Sequence, residues 1–437
     1  MSDEAEAVVL TKHAEIREAL YHPDLTRRHD ERTFEEGNPR DGILSMLHGE
    51  EHRLRRRLEN PLFRREALVN YERELFPTVL RDVLATVTSE EVDLFPLAGA
   101  LAVVLAARRA GIDHGGSMDE LLVLWDHILT IAQGSAILDI VGDPDAVQQQ
   151  VCSVLREVDH DHVGPSRRRR EELIARCPVD ERPVGEPESL PDDLITRVLL
   201  HRAEGSPLVD GMDDGVLNRE AALYLHGGSH TSAQTTCSTF HHLLGLDGSG
   251  VPHQVLDRVA EDPLWAQAAV HETLRLRPTT PRVQRRATRD AEVAGHRVAV
   301  GSAIVLDIRA ANRDPDLFGD RPEEFDPGRA LADGVPLWGL SFGAGPHVCI
   351  GRSVAGGFPL HSADLRDGVG PAHLYGLVAL IVQAVARCGP RPVPGDSPAL
   401  DRRTDRGSRW ERFPLRLSRP PADLAGAEQR PTRLGGS

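Results

Sequence analysis

Apolar residues recur at helical spacing through much of the first two thirds of the chain. Residues 15–19, 53–62, 67–84 and 118–138 each carry them three and four positions apart, which predicts helices. The pattern lapses over residues 159–193, a polar stretch with four arginines at 167–170 and prolines at 178, 183 and 187. Because helical pattern resumes on both sides, this stretch reads as a mobile loop pair within one domain, with Asp159-His-Asp-His162 in a solvated loop and the arginines on a charged helix face. Asp193 offers a helix start. Asn218 offers another, before a largely apolar segment that ends near Leu244 and Gly245. After Arg285 the period changes to two. Residues 292–300 alternate around Ala294-Gly295, and 303–308 form a further apolar run, so a small β unit is expected. Residues 312–340 are rich in Pro, Gly and Asp without periodicity, and a segment of that kind inside a compact protein is usually functional. Helical pattern returns over 374–386. The expected organisation is one domain over residues 8–417, mainly α with a small β subdomain. A disordered tail follows over 418–437.

Composition narrows the class. The chain has 437 residues, 40% hydrophobic and 27% charged, which is globular and large enough for a substantial core. The 51 basic and 67 acidic residues give a net charge of −16, a poor basis for nucleic-acid binding. The first residues are acidic and precede only three apolar ones, unlike a signal peptide. No apolar run is long enough for a membrane span. Cys152, Cys177, Cys237, Cys349 and Cys388 are odd in number and form no CxxC pair, which argues against a disulfide framework or a zinc site. A cytoplasmic, monomeric protein with one special cysteine is expected.

That cysteine is Cys349, in Ser341-Phe-Gly-Ala-Gly-Pro-His-Val-Cys-Ile-Gly351. It lies at the end of a glycine-rich loop and before a helix start, where unpaired backbone N–H groups and the helix dipole favour a thiolate. Gly343, Gly345 and Gly351 leave room for something flat against the backbone. A single thiolate does not suit zinc or an iron–sulfur cluster, but it suits haem iron. Phe342-x-x-Gly345-x-His347-x-Cys349-x-Gly351 resembles the haem-binding signature of the cytochrome P450 family.

The resemblance implies the P450 fold, haem b ligated through Cys349, and an oxidoreductase acting on a small organic molecule, by analogy in bacterial specialised metabolism. Other motifs follow in the family's order. Glu272-x-x-Arg275, on its own an ordinary helix ion pair, resembles the family's ExxR brace, and Arg329 in Phe325-Asp-Pro-Gly-Arg329 matches the arginine that joins it. His52, Arg56, Arg285 and His347 match positions that hold the haem propionates. His226, Gly227, Thr279 and Arg282 match pocket positions; polar and basic residues there, and near Arg402, hint at a polar or carboxylate-bearing substrate. Arg53 or Arg57 would help dock an acidic ferredoxin, the electron donor the resemblance implies together with its reductase.

Gly227-Gly-Ser-His-Thr-Ser232 is similar to the family's oxygen-activation motif, with Thr231 as the proton-directing alcohol. Its acid is replaced by His230. Proton delivery is then rerouted through His230, or the enzyme uses peroxide, or it catalyses a redox-neutral cyclisation or group transfer. A non-catalytic haem protein is a further alternative. His226 and His230 are four apart, a metal-pair spacing, but no HExxH is present. Finally, Gly356-Gly-Phe-Pro359 and Asp367-Gly-Val-Gly-Pro371 predict either an insertion or a broken helix over 356–371 on the cysteine side.

Overall fold

The computed structural model describes residues 8–27, 40–134, 141–177, 190–248, 253–331, 334–361, 363–404, 409–420 and 422. Helices dominate, with small sheets at the periphery, as the residue pattern predicts.

The Leu94–Ala110 helix runs through the main core and is buried on nearly every side. It is apolar all round, so it has no 3.6-residue stripe, and periodicity alone does not reveal it. Gly99 lets Trp125 lie on its backbone; a Cβ there would sit 2.5 Å from the indole. Against it packs a long central helix made of Asp214–Leu225, a π turn at His226–His230, and Thr231–Leu243. Asp213 caps its start by accepting from Val216 N at 2.7 Å, so the helix begins before Asn218. Asp193 does cap the Leu194–Ala203 helix.

The stretch expected as loops from residue 159 is largely helical instead. Pro144–Val158, a π turn at Asp159–Val163 and Gly164–Arg176 follow one another without leaving helical dihedrals, so Asp159-His-Asp-His162 lies on a helix. Its buried face is thin and partly polar: Arg170 is buried and bonds Asp113 at 2.7 Å and Asp193 at 3.0 Å. A charged residue on the core side conceals the periodicity. Residues 178–189 lie outside the described residues, as do 135–138 of the helix expected to reach Leu138, of which Met118–Gly134 is described.

Ala291–Val293 and His296–Val298 form the expected hairpin, with Ala294 and Gly295 at positive φ. Ala303–Asp307 instead joins a four-stranded sheet. It runs parallel to Val8–Leu10 and antiparallel to Arg282–Ala287, which also pairs with Leu25–Thr26. Ser418 and Arg419, placed in the tail by the sequence, bond to Cys388 and Arg387 carbonyls; residues 423–437 lie outside the described residues.

After the cysteine loop, Arg352–Ala355 ends at Gly356, and the apolar Leu377–Arg387 helix begins only after Gly376. Of the two readings of 356–371, the broken helix is what the structure shows, and the chain makes an excursion before helix resumes. Gly357 (φ +74) and Gly376 (φ +86) meet at its base, where a Cβ on Gly376 would fall 2.3 Å from Gly357 N. Gln267 Nε2 donates to the carbonyls of Gly356, Phe358 and Leu374 from below.

Candidate functional site

Gly343 and Gly345, both at φ +68, turn the chain between Ser341 and Gly351. Cys349 N donates to Phe342 O at 2.8 Å and closes the loop. Gly345 is needed for packing, because a Cβ would lie 2.6 Å from Leu20 O in the His13–Tyr21 helix. Cys349 is the one cysteine lining a cavity of about 410 Å3, and Phe342, His347 and Gly351 line it too. Its surface is exposed to that cavity, while the surrounding protein desolvates the thiol and raises its pKa. The Gly351 N–H, Arg56, Arg352 and Arg27 act in the opposite direction.

The loop is anchored through the Pro263–Leu276 helix. Glu272 and Arg275 are both fully buried, and Arg275 Nε and Nη2 donate to the two carboxylate oxygens at 2.7 Å each. Arg329 Nε reaches Glu272 Oε1 at 3.1 Å, and Arg275 Nη1 also donates to Asn312 O and Pro322 O. The irregular 312–340 segment therefore wraps an ion cluster whose spare donors are met by its carbonyls. Asn312 continues the link: its Nδ2 donates to Ser341 Oγ at 2.8 Å, and its Oδ1 accepts from Leu340 N at 2.7 Å.

Five basic groups gather at the cavity wall, where Glu220 is the one acid among the described lining residues. Arg285 is buried, and burial, then Arg27, lowers it to about 9. Arg27 Nε is buried without a partner. The rings of His52 and His347 lie 4.1 Å apart. His52 is lowered to about 4 by burial and then by Arg56, Arg27 and His48, and His347 is pressed further down by burial and then by His52, Arg27, Arg285 and His48. Arg56 faces the same cavity and donates to Val348 O at 3.2 Å.

The central helix forms the opposite wall. Gly227 is exposed to the cavity, and a Cβ there would meet nothing within 4 Å, whereas one on Gly228 would touch Ala106 at 3.0 Å. Thr231 Oγ1 donates to Gly227 O at 2.7 Å across the π turn. A second cavity of about 380 Å3 shares Arg27, Thr231 and Thr279 with the first. His226, His230 and Arg282 line only the second. His230 is buried between Phe95 and Trp125, 3.3 Å from Gln234 Nε2.

The cytochrome P450 family model matches residues 264–356. The chain is similar to the cyclooctat-9-en-7-ol 5-monooxygenase of Streptomyces melanosporofaciens, with 29% identity covering 86% of this chain and 80% of that protein. It is also similar to the erythromycin C-12 hydroxylase of Saccharopolyspora erythraea, with 28% identity covering 79% and 77%. The chain belongs to the cytochrome P450 family. The P450 EryK mutant in complex with erythromycin B shares the fold at TM-score 0.66 and 23% identity, covering 96% of this chain and 93% of that one. CxnD, the cytochrome P450 enzyme for C–S bond formation in chuangxinmycin biosynthesis, does so at TM-score 0.68 and 20% identity, covering 95% and 89%.

P450 proteins hold haem iron through a cysteine thiolate, so this P450 is a haem oxidoreductase. The site fits that group. The cavity has one thiol on its floor and a bare glycine on its roof. Its rim carries cations that lack anions, and haem brings two carboxylates. Sequence reasoning missed Arg27, Tyr224 and Glu220 at this cavity. Arg27 follows a two-residue strand, and Tyr224 and Glu220 read as ordinary helix positions; no spacing signal marks them.

Proposed function

We propose that this P450 is a haem-thiolate monooxygenase of bacterial specialised metabolism, with Cys349 as the iron ligand, acting on a small organic molecule that carries an anionic group. The observation that supports this most is the placement of the Cys349 thiol in the same cavity as Arg27, His52, Arg56, Arg285 and His347. When bound, the haem supplies the oxidising chemistry, activating dioxygen with electrons from a ferredoxin and its reductase. The chain's own residues do the rest. Arg27, Arg56 and Arg285 with His52 and His347 would hold the propionates. Gly227 would leave the cavity open on the central-helix wall, and Thr231, at the junction of the two cavities, would hold a proton there. Arg53 and Arg57 are exposed on the helix whose Arg56 bonds beside the cysteine, and they form a docking face for the acidic donor.

The outer cavity supports the anionic group. Arg40, Arg219, Arg282 and Arg409 line it, aliphatic Ile131, Val151 and Leu155 fill the gaps, and no Asp or Glu is among its described lining residues. Its volume suits a small ligand.

The carbon-monoxide complex of the reduced protein tests the ligand assignment: a thiolate spectrum is expected, lost in Cys349→Ala. Retention in the variant rules out Cys349. An imidazole bearing an aliphatic chain with a terminal carboxylate tests the charge preference. It should bind at least about tenfold tighter than its hydroxyl-ended twin, a difference of about 1.4 kcal/mol, and lose that margin in Arg219→Gln with Arg409→Gln. Equal binding of the two probes excludes an anionic substrate. A second reading, peroxide-driven or redox-neutral chemistry, is favoured by His230 standing where the family has an acid. Turnover with peroxide but not with ferredoxin would select it.

A further inference from the structure

One buried pair of acids has no part in the chemistry above. Glu59, at the end of the Gly49–Glu59 helix, and Glu220, in the central helix, are both fully buried. Glu220 Oε2 accepts from Leu44 N at 2.7 Å and Arg55 Nη1 at 3.0 Å. Glu59 Oε2 accepts from the Tyr224 hydroxyl at 2.9 Å. The remaining oxygens, Glu59 Oε1 and Glu220 Oε1, have no donor.

Charge does not balance inside this group. Arg55 is bonded to Glu220 and acts on Glu59 through space, with Arg56 also acting on Glu59 and Arg109 on Tyr224 from further away. Arg56 also faces the propionate side of the cavity. Leaving a buried carboxylate in surplus costs several kcal/mol, and a proton on one of the two free oxygens removes that cost. Burial, and for Glu59 also repulsion by Glu220, raises both acids, Glu220 to about 7 and Glu59 well above its ordinary value.

The pair also has an outlet. Glu220 and Tyr224 line the cavity that contains Cys349 and Thr231. Positions 220, 224, 227 and 231 recur at helical spacing, so they lie along one face of the central helix. That face is the cavity wall on which His230 does not appear.

We propose that Glu59 and Glu220 store one proton between them and deliver it through the Tyr224 hydroxyl into the haem cavity, supplying the acid that position 230 lacks. The proposal rests on the haem-thiolate reading. In the transfer, the Tyr224 hydroxyl turns from Glu59 Oε2 to an acceptor in the cavity and the protonated Glu59 carboxyl turns its O–H onto Tyr224 Oη; that O–H bond then breaks as Tyr224 takes its proton and gives its own to the acceptor. Glu59 is left as a carboxylate near Arg55 and Arg56, and solvent returns the proton. No electrons move.

The test uses the haem-loaded protein. Infrared difference spectra across neutral pH should show a carboxylic-acid C=O band that shifts in D2O, absent from Glu59→Gln and from Glu220→Gln. Tyr224→Phe should keep the band yet raise several-fold the share of electrons lost as hydrogen peroxide. The peroxide readout separates a relay from a merely structural contact. Absence of the band in the parent, its survival in both Gln variants, or an unchanged peroxide share in Tyr224→Phe overturns the proposal. If the Gln variants do not fold, the parent band and Tyr224→Phe decide. A carbon-monoxide complex without the thiolate spectrum refutes the haem-thiolate reading instead, and is told apart because the infrared band does not depend on the iron ligand.

Discussion

His230 lies stacked on Trp125, with ring centroids 6.2 Å apart and planes 29° from parallel. Phe95 meets both rings edge-on, and Gln234 stands on the polar side. A carboxylate at position 230 would therefore enter an aromatic slot, not the haem cavity. His230→Asp is expected to lose about 1–3 kcal/mol of stability, the cost of a poorly satisfied buried polar group. It should not lower peroxide loss. Urea unfolding and a peroxide assay check both; an Asp variant as stable as the parent and better coupled would return position 230 to the proton path.

The ion cluster at Glu272 predicts a larger effect. Removing one partner of a buried pair leaves the other uncompensated, at about 3–5 kcal/mol. Glu272→Gln strands both Arg275 and Arg329, so it should fall in that range and lower haem content through the Asn312–Ser341 link. Arg329→Lys should cost less than Arg275→Lys, because Arg275 alone makes the two-point contact. Denaturation midpoints and pyridine haemochrome content would show the order.

The two glycines of the central helix should behave differently. Gly227→Ala points into the cavity and is expected to leave stability unchanged or improve it by up to about 1 kcal/mol, the helix-propensity difference. The same methyl should slow carbon-monoxide binding. Gly228→Val drives a branched side chain against Ala106 and should destabilise, by about 1–3 kcal/mol for overpacking.

Stability should depend on pH through two buried groups, Glu220 and His271. Glu220 is raised from 4.5 to about 7, so the folded state binds more protons than the unfolded one between those values. Its contribution is complete below about 4.5 and is lost as pH rises through 7. His271, fully buried and bonded to Gly356 O, is lowered from 6.5 to about 3, chiefly by burial. It stays neutral in the fold, so its contribution is complete above 6.5 and is lost as pH falls through 3. Glu220→Gln should flatten the alkaline side of the stability curve and leave the acid side; urea titrations at a series of pH values measure this.

Much of the site is readable in the residues because its chemistry demands fixed spacing. Cys349, the loop glycines, Glu272 with Arg275, and His52 with Arg56 each sit a set number of positions from a partner on one element. What stays hidden depends on separate elements meeting. Arg27 joins Arg285 through strand pairing of Thr26 with Arg286, and Glu59 meets Glu220 across 161 positions. The Leu94–Ala110 helix escapes because uniform apolarity has no phase, and Arg170 disguises a buried face because its charge is paired. His230 shows the opposite limit: alignment with a motif gave it a role, and the π turn with its aromatic neighbours aims it elsewhere.

The contact between Gly357 and Gly376 makes the loop beside Cys349 a bead threaded on the chain at one point. Its entry and exit nearly touch, so its contour can grow or shrink while the two helices it separates keep their places. Closing a longer loop costs only a logarithmic increment in entropy. The surface next to the cysteine is thus free to diversify by length, a route to new partners that leaves the iron-binding frame unedited.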